Sequence, residues 1–169
     1  WAKFGNAAWC GDGFYYSAYD APSNHAFTSK NEVHKIYYHH LGTAQKEDRL
    51  FYQNPAYPLR FYAVTVNKEE TIMYLTESGE GSGNNLYVRD LRNKDSQFIQ
   101  MTNDMNCLYV PVETIGNDIY IFTNSGAPKN RLMLANLAKP GIKDWKVLVP
   151  ESQNVLNDVT FTHGKMVLN

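Results

Sequence analysis

Apolar and polar residues alternate with a period of two in short runs along the chain, and the runs are separated by clusters of Gly, Asn, Asp and Pro. A period of two is the strand period, because successive side chains leave a strand on opposite faces. No segment sustains a helical period, which excludes helical repeats. The runs fall into sets of four. The first reads Phe4 to Trp9, Gly13 to Tyr19, His34 to Leu41 and Arg49 to Tyr52, and the second Phe61 to Val66, Thr71 to Thr76, Asn85 to Leu91 and Gln97 to Met101. The third reads Cys107 to Val112, Asp118 to Thr123, Arg131 to Leu137 and Trp145 to Val149, and a fourth opens with Val155 to Thr162 and Lys165 to Leu168.

Laid over one another, the sets repeat. The third strands align as HKIYYHHLGT, NNLYVRDLRN and NRLMLANLAK, and the fourth as DRLFYQN, SQFIQMTN and WKVLVPES. The loops between second and third strands, PSNHAFTSKNE, SGEGSG and SGAPK, differ in length but share Ser, Gly and Asn chemistry. Four strands per unit at a recurring period predict propeller blades. An antiparallel sandwich also has short, evenly spaced strands, but nothing in a sandwich requires its fourth strands to resemble one another. The expected fold is therefore all-β: a partial β-propeller of about three four-stranded antiparallel blades and the first two strands of a fourth. The blades run approximately over 4–52, 61–101, 107–149 and, incomplete, 155–168. Three blades and a half cannot close a ring, so blade faces and strand edges should be exposed. Both ends read as cuts within patterned sequence, and a homo-oligomer that covers those faces is an expected state of the fragment.

Composition narrows the function classes. Sixteen basic and 17 acidic residues are spread along the chain for a net charge of −1, so no basic stripe awaits a nucleic acid. No apolar run reaches the ~20 residues that cross a bilayer, so no membrane partner is expected. The two cysteines, Cys10 and Cys107, lie far apart in different repeats and form no disulfide framework; they leave cytoplasm and bacterial periplasm equally open. Twelve tyrosines lead an aromatic fraction of 14%, and such residues suit pleated, half-buried surfaces.

Catalytic and metal chemistry finds no foothold in the motifs. A hydrolase nucleophile elbow needs G-x-S-x-G, and at the nearest candidate, Ser82, the required glycines are Glu80 and Asn84. Ser82 reads as a turn residue, and no catalytic residue is expected. The run Ser78 to Gly83 lacks the Lys-Ser/Thr ending of a phosphate loop and lies between strands rather than before a helix. On one strand His34 and His40 share a face, but about 20 Å apart, with His39 opposite. That spacing is too wide for one zinc ion, so structural packing is expected and neither a metal nor a cofactor.

Two longer stretches, AAWCGDGFYYSAYDAP and NEVHKIYYHHLGTAQKEDRLFY, resemble the propeller domain of prolyl oligopeptidases, which carries similar wording around H-K-x-Y-Y-H-x-L-G-T-x-Q-x-E-D. PLRFYAVTV, GSGNNLYVRDL, FTNSGAPKNRLMLANL and DWKVLVPES continue the resemblance in order over nearly the whole chain. The resemblance implies a serine peptidase that cleaves short peptides after proline. In it an α/β-hydrolase domain, absent here, carries a Ser, Asp, His triad, and a seven-bladed propeller restricts access to small substrates. The chain then corresponds to the middle blades, is inactive in isolation, and has as partners the remaining blades, the hydrolase domain and a proline-containing peptide. Two residues fall at family positions that face the substrate, Phe4 and Phe61; packing between blades is the alternative for each. A further family position, an arginine on the substrate carbonyl, falls near Ser78, where arginine is absent. A stand-alone propeller serving as an interaction platform, or the propeller of a related dipeptidyl peptidase or oligopeptidase, would show the same repeats. The discriminating feature is a G-x-S-x-G with Asp and His after it, downstream of residue 169.

Overall fold

A computed structural model describes residues 6–21 and 31–169. Three antiparallel sheets of four strands follow one another along the chain. The first is β1 (Ala7–Cys10), β2 (Gly13–Ala18), β3 (Lys35–His40) and β4 (Arg49–Gln53); the second is β5 (Phe61–Val66), β6 (Ile72–Ser78), β7 (Asn85–Asp90) and β8 (Ile99–Gln100). The third is β9 (Tyr109–Ile115), β10 (Asp118–Thr123), β11 (Arg131–Asn136) and β12 (Lys146–Val149), and a hairpin, β13 (Val159–Thr162) and β14 (Lys165–Leu168), opens a fourth. Within each sheet the strands lie in chain order, and single 3₁₀ turns at Gln45–Glu47 and Ile142–Asp144 are the helical pieces among the described residues. None of these is long and apolar enough to cross a membrane. First strands lie against first strands, β1 on β5 and β9 on β13, so the sheets radiate as blades from an inner row without closing a ring.

The core sits between blades rather than within them. Residues of β6 alternate by the strand period: Met73 and Leu75 join Ala8, Tyr15 and Ile36 of the first blade, whereas Ile72 and Tyr74 join Tyr109, Ile119, Ile121 and Trp145 of the third. A central strand of a central blade is thus apolar on both faces, and all four of these residues are buried.

Where strand ends depart from the sequence reading, side chains account for it. The fourth strand of the second blade is only Ile99–Gln100, and past its C-terminal end Leu86 N–H is taken by the Thr102 hydroxyl at 2.9 Å in place of a ladder carbonyl. The second strand of that blade runs past Thr76 to Ser78, carrying Glu77 into the interior. In β9, Pro111 has no N–H to give, and the register shifts there against Tyr120 and Ile121. The fourth blade's first strand begins at Val159 rather than Val155, since the preceding residues reach sideways: Leu156 N–H donates to Lys129 O at 2.9 Å.

One position is used three times to fasten a blade to the next. His34, Asn84 and Asn130 each stand just before a third strand, aligned in the repeat. His34 Nδ1 accepts the Tyr62 N–H at 2.9 Å. Asn84 accepts the Tyr109 N–H and donates to Tyr109 O, both at 3.0 Å, so a side chain imitates a strand. Asn130, at φ 68°, a value asparagine tolerates better than most residues, donates to Leu156 O at 2.8 Å. Gly83 lies so close to the next blade's entry that a Cβ would stand 1.9 Å from Cys107 O.

Candidate functional site

Phe61, one of the two residues singled out for a peptide-facing role, opens β5, is 40% exposed, and sets its ring in a T-shaped contact with His34, centroids 5.8 Å apart. Phe4, the other, lies outside the described residues. Directly after Phe61, Tyr62 turns inward and is 1% exposed, as strand alternation requires. The rim that carries Phe61 is therefore fixed by what holds its neighbours.

What holds them is a buried carboxylate. Glu77, 1% exposed and one residue short of Phe61's strand partner Ser78, collects four donors: Arg60 Nη1 at 3.1 Å, and Tyr62 OH, Asn85 Nδ2 and Tyr87 OH at 2.9 Å each. Burial alone would push this carboxyl up; the four hydrogen bonds outweigh it and hold Glu77 below the usual carboxylate range. Burial and the neighbouring Glu77 charge push the Tyr62 and Tyr87 hydroxyls up, so both remain donors. The Arg60 guanidinium stacks 3.5 Å over the Tyr57 ring and reaches Glu80 at 3.6 Å with Nη2. Three strands and the β4–β5 connection are thereby tied at one carboxylate. The arginine missing near Ser78 thus has a cationic neighbour in space, since Arg60 precedes the residue paired with Ser78 and its side chain packs on Gly79.

Beside this network opens a hollow of about 280 Å³ lined by Arg60, Glu80, Gly81, Asn85 and residues 103–106. Ser82 stands in the adjoining loop with its hydroxyl on Asn106 O at 3.2 Å, the bond of a turn residue. A larger hollow of about 740 Å³ lies among the hairpin turns at the opposite ends of β5, β9 and β13, lined in part by Lys68, Arg92, Glu113, Tyr120 and His163. Arg92 there is already clamped on Asp90 at 2.8 Å.

The three neighbouring histidines go separate ways. His34 serves the blade clamp, His39 Nδ1 meets Asp48 at 2.7 Å beside Tyr16, and His40 Nε2 meets Asp12 at 2.7 Å. Both cysteines are free thiols, and burial pushes each of them up.

Glu77 and Arg60 escaped the sequence reading, which ended the strand at Thr76 and gave Glu77 no place in either the strand or the SGEGSG loop. The available signal was a lone acidic residue closing the apolar run Ile72 to Thr76, with tyrosines at 62 and 87 in strands to either side. Only the register, Tyr62 opposite Glu77 and Leu75 opposite Tyr87, brings them together.

Successive four-stranded blades fastened at their rims, with an inner row of first strands, define a β-propeller. The sequence matches the family described as prolyl oligopeptidase, N-terminal beta-propeller domain, over residues 1–169, and the chain belongs to that family. It is 32% identical over 156 residues to the prolyl endopeptidase of Elizabethkingia meningoseptica, covering 91% of this chain and 22% of that protein. It is 28% identical over 163 residues to the dual function macrocyclase-peptidase of Galerina marginata, with 91% and 22% covered. The structure of prolyl oligopeptidase B from Galerina marginata, bound to a 35mer hydrolysis and macrocyclization substrate, superposes with a TM-score of 0.89 at 25% identity, covering 99% of this chain and 24% of that one. The chain thus spans about a fifth of the length of the curated relatives it matches.

Proposed function

We propose that this chain is the gating segment of a serine endopeptidase that cleaves short peptides after proline. In that reading further blades and an α/β-hydrolase domain complete the protein. The propeller limits which peptides reach the triad, and Phe61 offers them an apolar surface at the inner rim; Phe4 has the same proposed role. The observation that carries the reading is the contrast at the start of β5: Phe61 is exposed at 40% while the residues on either side of it, Arg60 and Tyr62, are both tied to the buried Glu77. The ring is left partly open where a peptide can meet it, whereas the next side chain, Tyr62, is covered. A fixed backbone beneath an exposed ring is what a binding contact needs, because little ordering is left to be done when the peptide arrives.

The test is Phe61→Ala in the full-length enzyme, with a chromogenic prolyl peptide. Loss of one apolar contact of this size predicts a KM about 10-fold higher with kcat little changed. An unchanged KM would return Phe61 to a packing role.

A further inference from the structure

The clamp between the first two blades differs in kind from its repeats. A backbone N–H can only donate, so the 2.9 Å contact from Tyr62 N to His34 Nδ1 requires that nitrogen to be without a proton and the ring to be neutral. His34 is 1% exposed, with its ring 4.6 Å from Tyr19 and 5.8 Å from Phe61. In the next blade Asn84 makes the same bond with a carboxamide oxygen, and in the third Asn130 fastens with its amide nitrogen. A carboxamide does not titrate near neutrality, whereas an imidazole does.

We propose that His34 is a positioning residue for Phe61, and that its protonation releases the start of β5, making the hold on Phe61 pH-dependent. The bond is available while the imidazole is neutral and is lost when the ring takes up a second proton, because imidazolium cannot accept and instead repels the Tyr62 N–H. The titratable and charged groups that the described residues place around it are few. On the β2 side stands Tyr19, its hydroxyl pushed up by burial and so uncharged near neutral pH; Lys35, the following residue, is paired with Asp20 at 2.6 Å. On the β5 side stand Tyr62, also pushed up, and beyond its hydroxyl the mutually paired Arg60 and Glu77, with Glu80 on the outer side of Arg60. Glu32 stands two residues before His34 in the chain, Asp20 is paired with Lys35, and Glu77 is paired with Arg60.

The consequence for peptide binding rests on the proposed peptide-facing role of Phe61, and the experiment separates the two. In the full-length enzyme, wild type is compared with His34→Asn, which copies the residue used in the two following blades, and with His34→Ala. Hydrogen exchange of the segment Phe61 to Val66, corrected for intrinsic rates, is measured at about pH 7.5 and about pH 5.5. Protection in the wild type is expected to fall about fivefold more than in His34→Asn, the worth of one neutral hydrogen bond. His34→Ala is expected to be poorly protected at both values; should it fail to fold, the comparison with His34→Asn still decides. Equal pH responses in wild type and His34→Asn would overturn the clamp whatever the kinetics. KM for a prolyl peptide, taken as the ratio of wild type to His34→Asn, should rise about fivefold over the same interval. A pH-dependent clamp with a flat KM ratio would keep the positioning of β5 and overturn the role of Phe61 in binding.

Discussion

Glu77 shows how one residue can be out of place by composition and in place by structure. A glutamate is almost never fully buried unless paired, and this one is paired four times over, by two phenols, an amide and a guanidinium. Removing it takes from the largely buried Arg60 its closer carboxylate, leaving the more distant Glu80, and deprives three further donors of this acceptor, so Glu77→Ala is expected to lower stability by about 3–5 kcal/mol in urea unfolding. Glu77→Gln, which keeps the shape and some acceptors, should cost less. The pH dependence has a definite sign. Because hydrogen bonding holds the folded-state carboxyl below its ordinary value, its stabilisation is present above about pH 4.3, the unfolded value. It is lost as the pH falls from there through the folded value. The Glu77→Gln variant should therefore lose less stability than the wild type on acidification below about pH 4.3. Equal acid sensitivity of the two would remove Glu77 from the account.

At the level of elements, the rim clamps do what the hydrophobic faces cannot. Faces packed between blades are apolar and non-directional, whereas Asn84 exchanges two hydrogen bonds with the backbone of one residue, Tyr109. That pair fixes where the third blade begins. Asn84→Ala leaves the Tyr109 N–H buried without this partner, and a destabilisation of about 1–3 kcal/mol is expected in thermal unfolding. Gly83→Ala should be as harmful for a different reason, since its added carbon would meet backbone atoms of Cys107 that cannot swing away. Tolerance of both substitutions would mean that inter-blade packing alone sets the register.

At the scale of the molecule, the outer faces of the array remain uncovered. Trp9, at 59%, and Leu50, at 42%, are exposed on the first blade, and Val147, Val155 and Val167 are each about half exposed toward the other end. Apolar area of this kind is worth roughly 25 cal/mol per Å² when buried. A polypeptide of these 169 residues is therefore expected to self-associate, which sedimentation equilibrium over a hundredfold range of concentration would reveal. A monomer throughout would show that the faces need no cover. The same polypeptide, with no G-x-S-x-G in its sequence, is expected not to react with a fluorophosphonate probe, and stoichiometric labelling would contradict the proposed division of labour.

The alternation of apolar and polar residues and the internal repeat determined the strands, their grouping by fours and the equivalence of His34, Asn84 and Asn130, because a strand's period and a blade's repeat are local properties written in consecutive residues. The position of Phe61 at the head of an innermost strand was legible in the same way, and the residues quoted for the family resemblance carried the kinship that the family match bears out. Tertiary structure alone decided that β6 carries a carboxylate inward, and that Arg60, Tyr62, Asn85 and Tyr87 converge on it from separate segments. It also decided what the three aligned rim residues hold. These outcomes depend on register between strands and on contact between blades, and a one-residue slip would turn the same side chains to the opposite face.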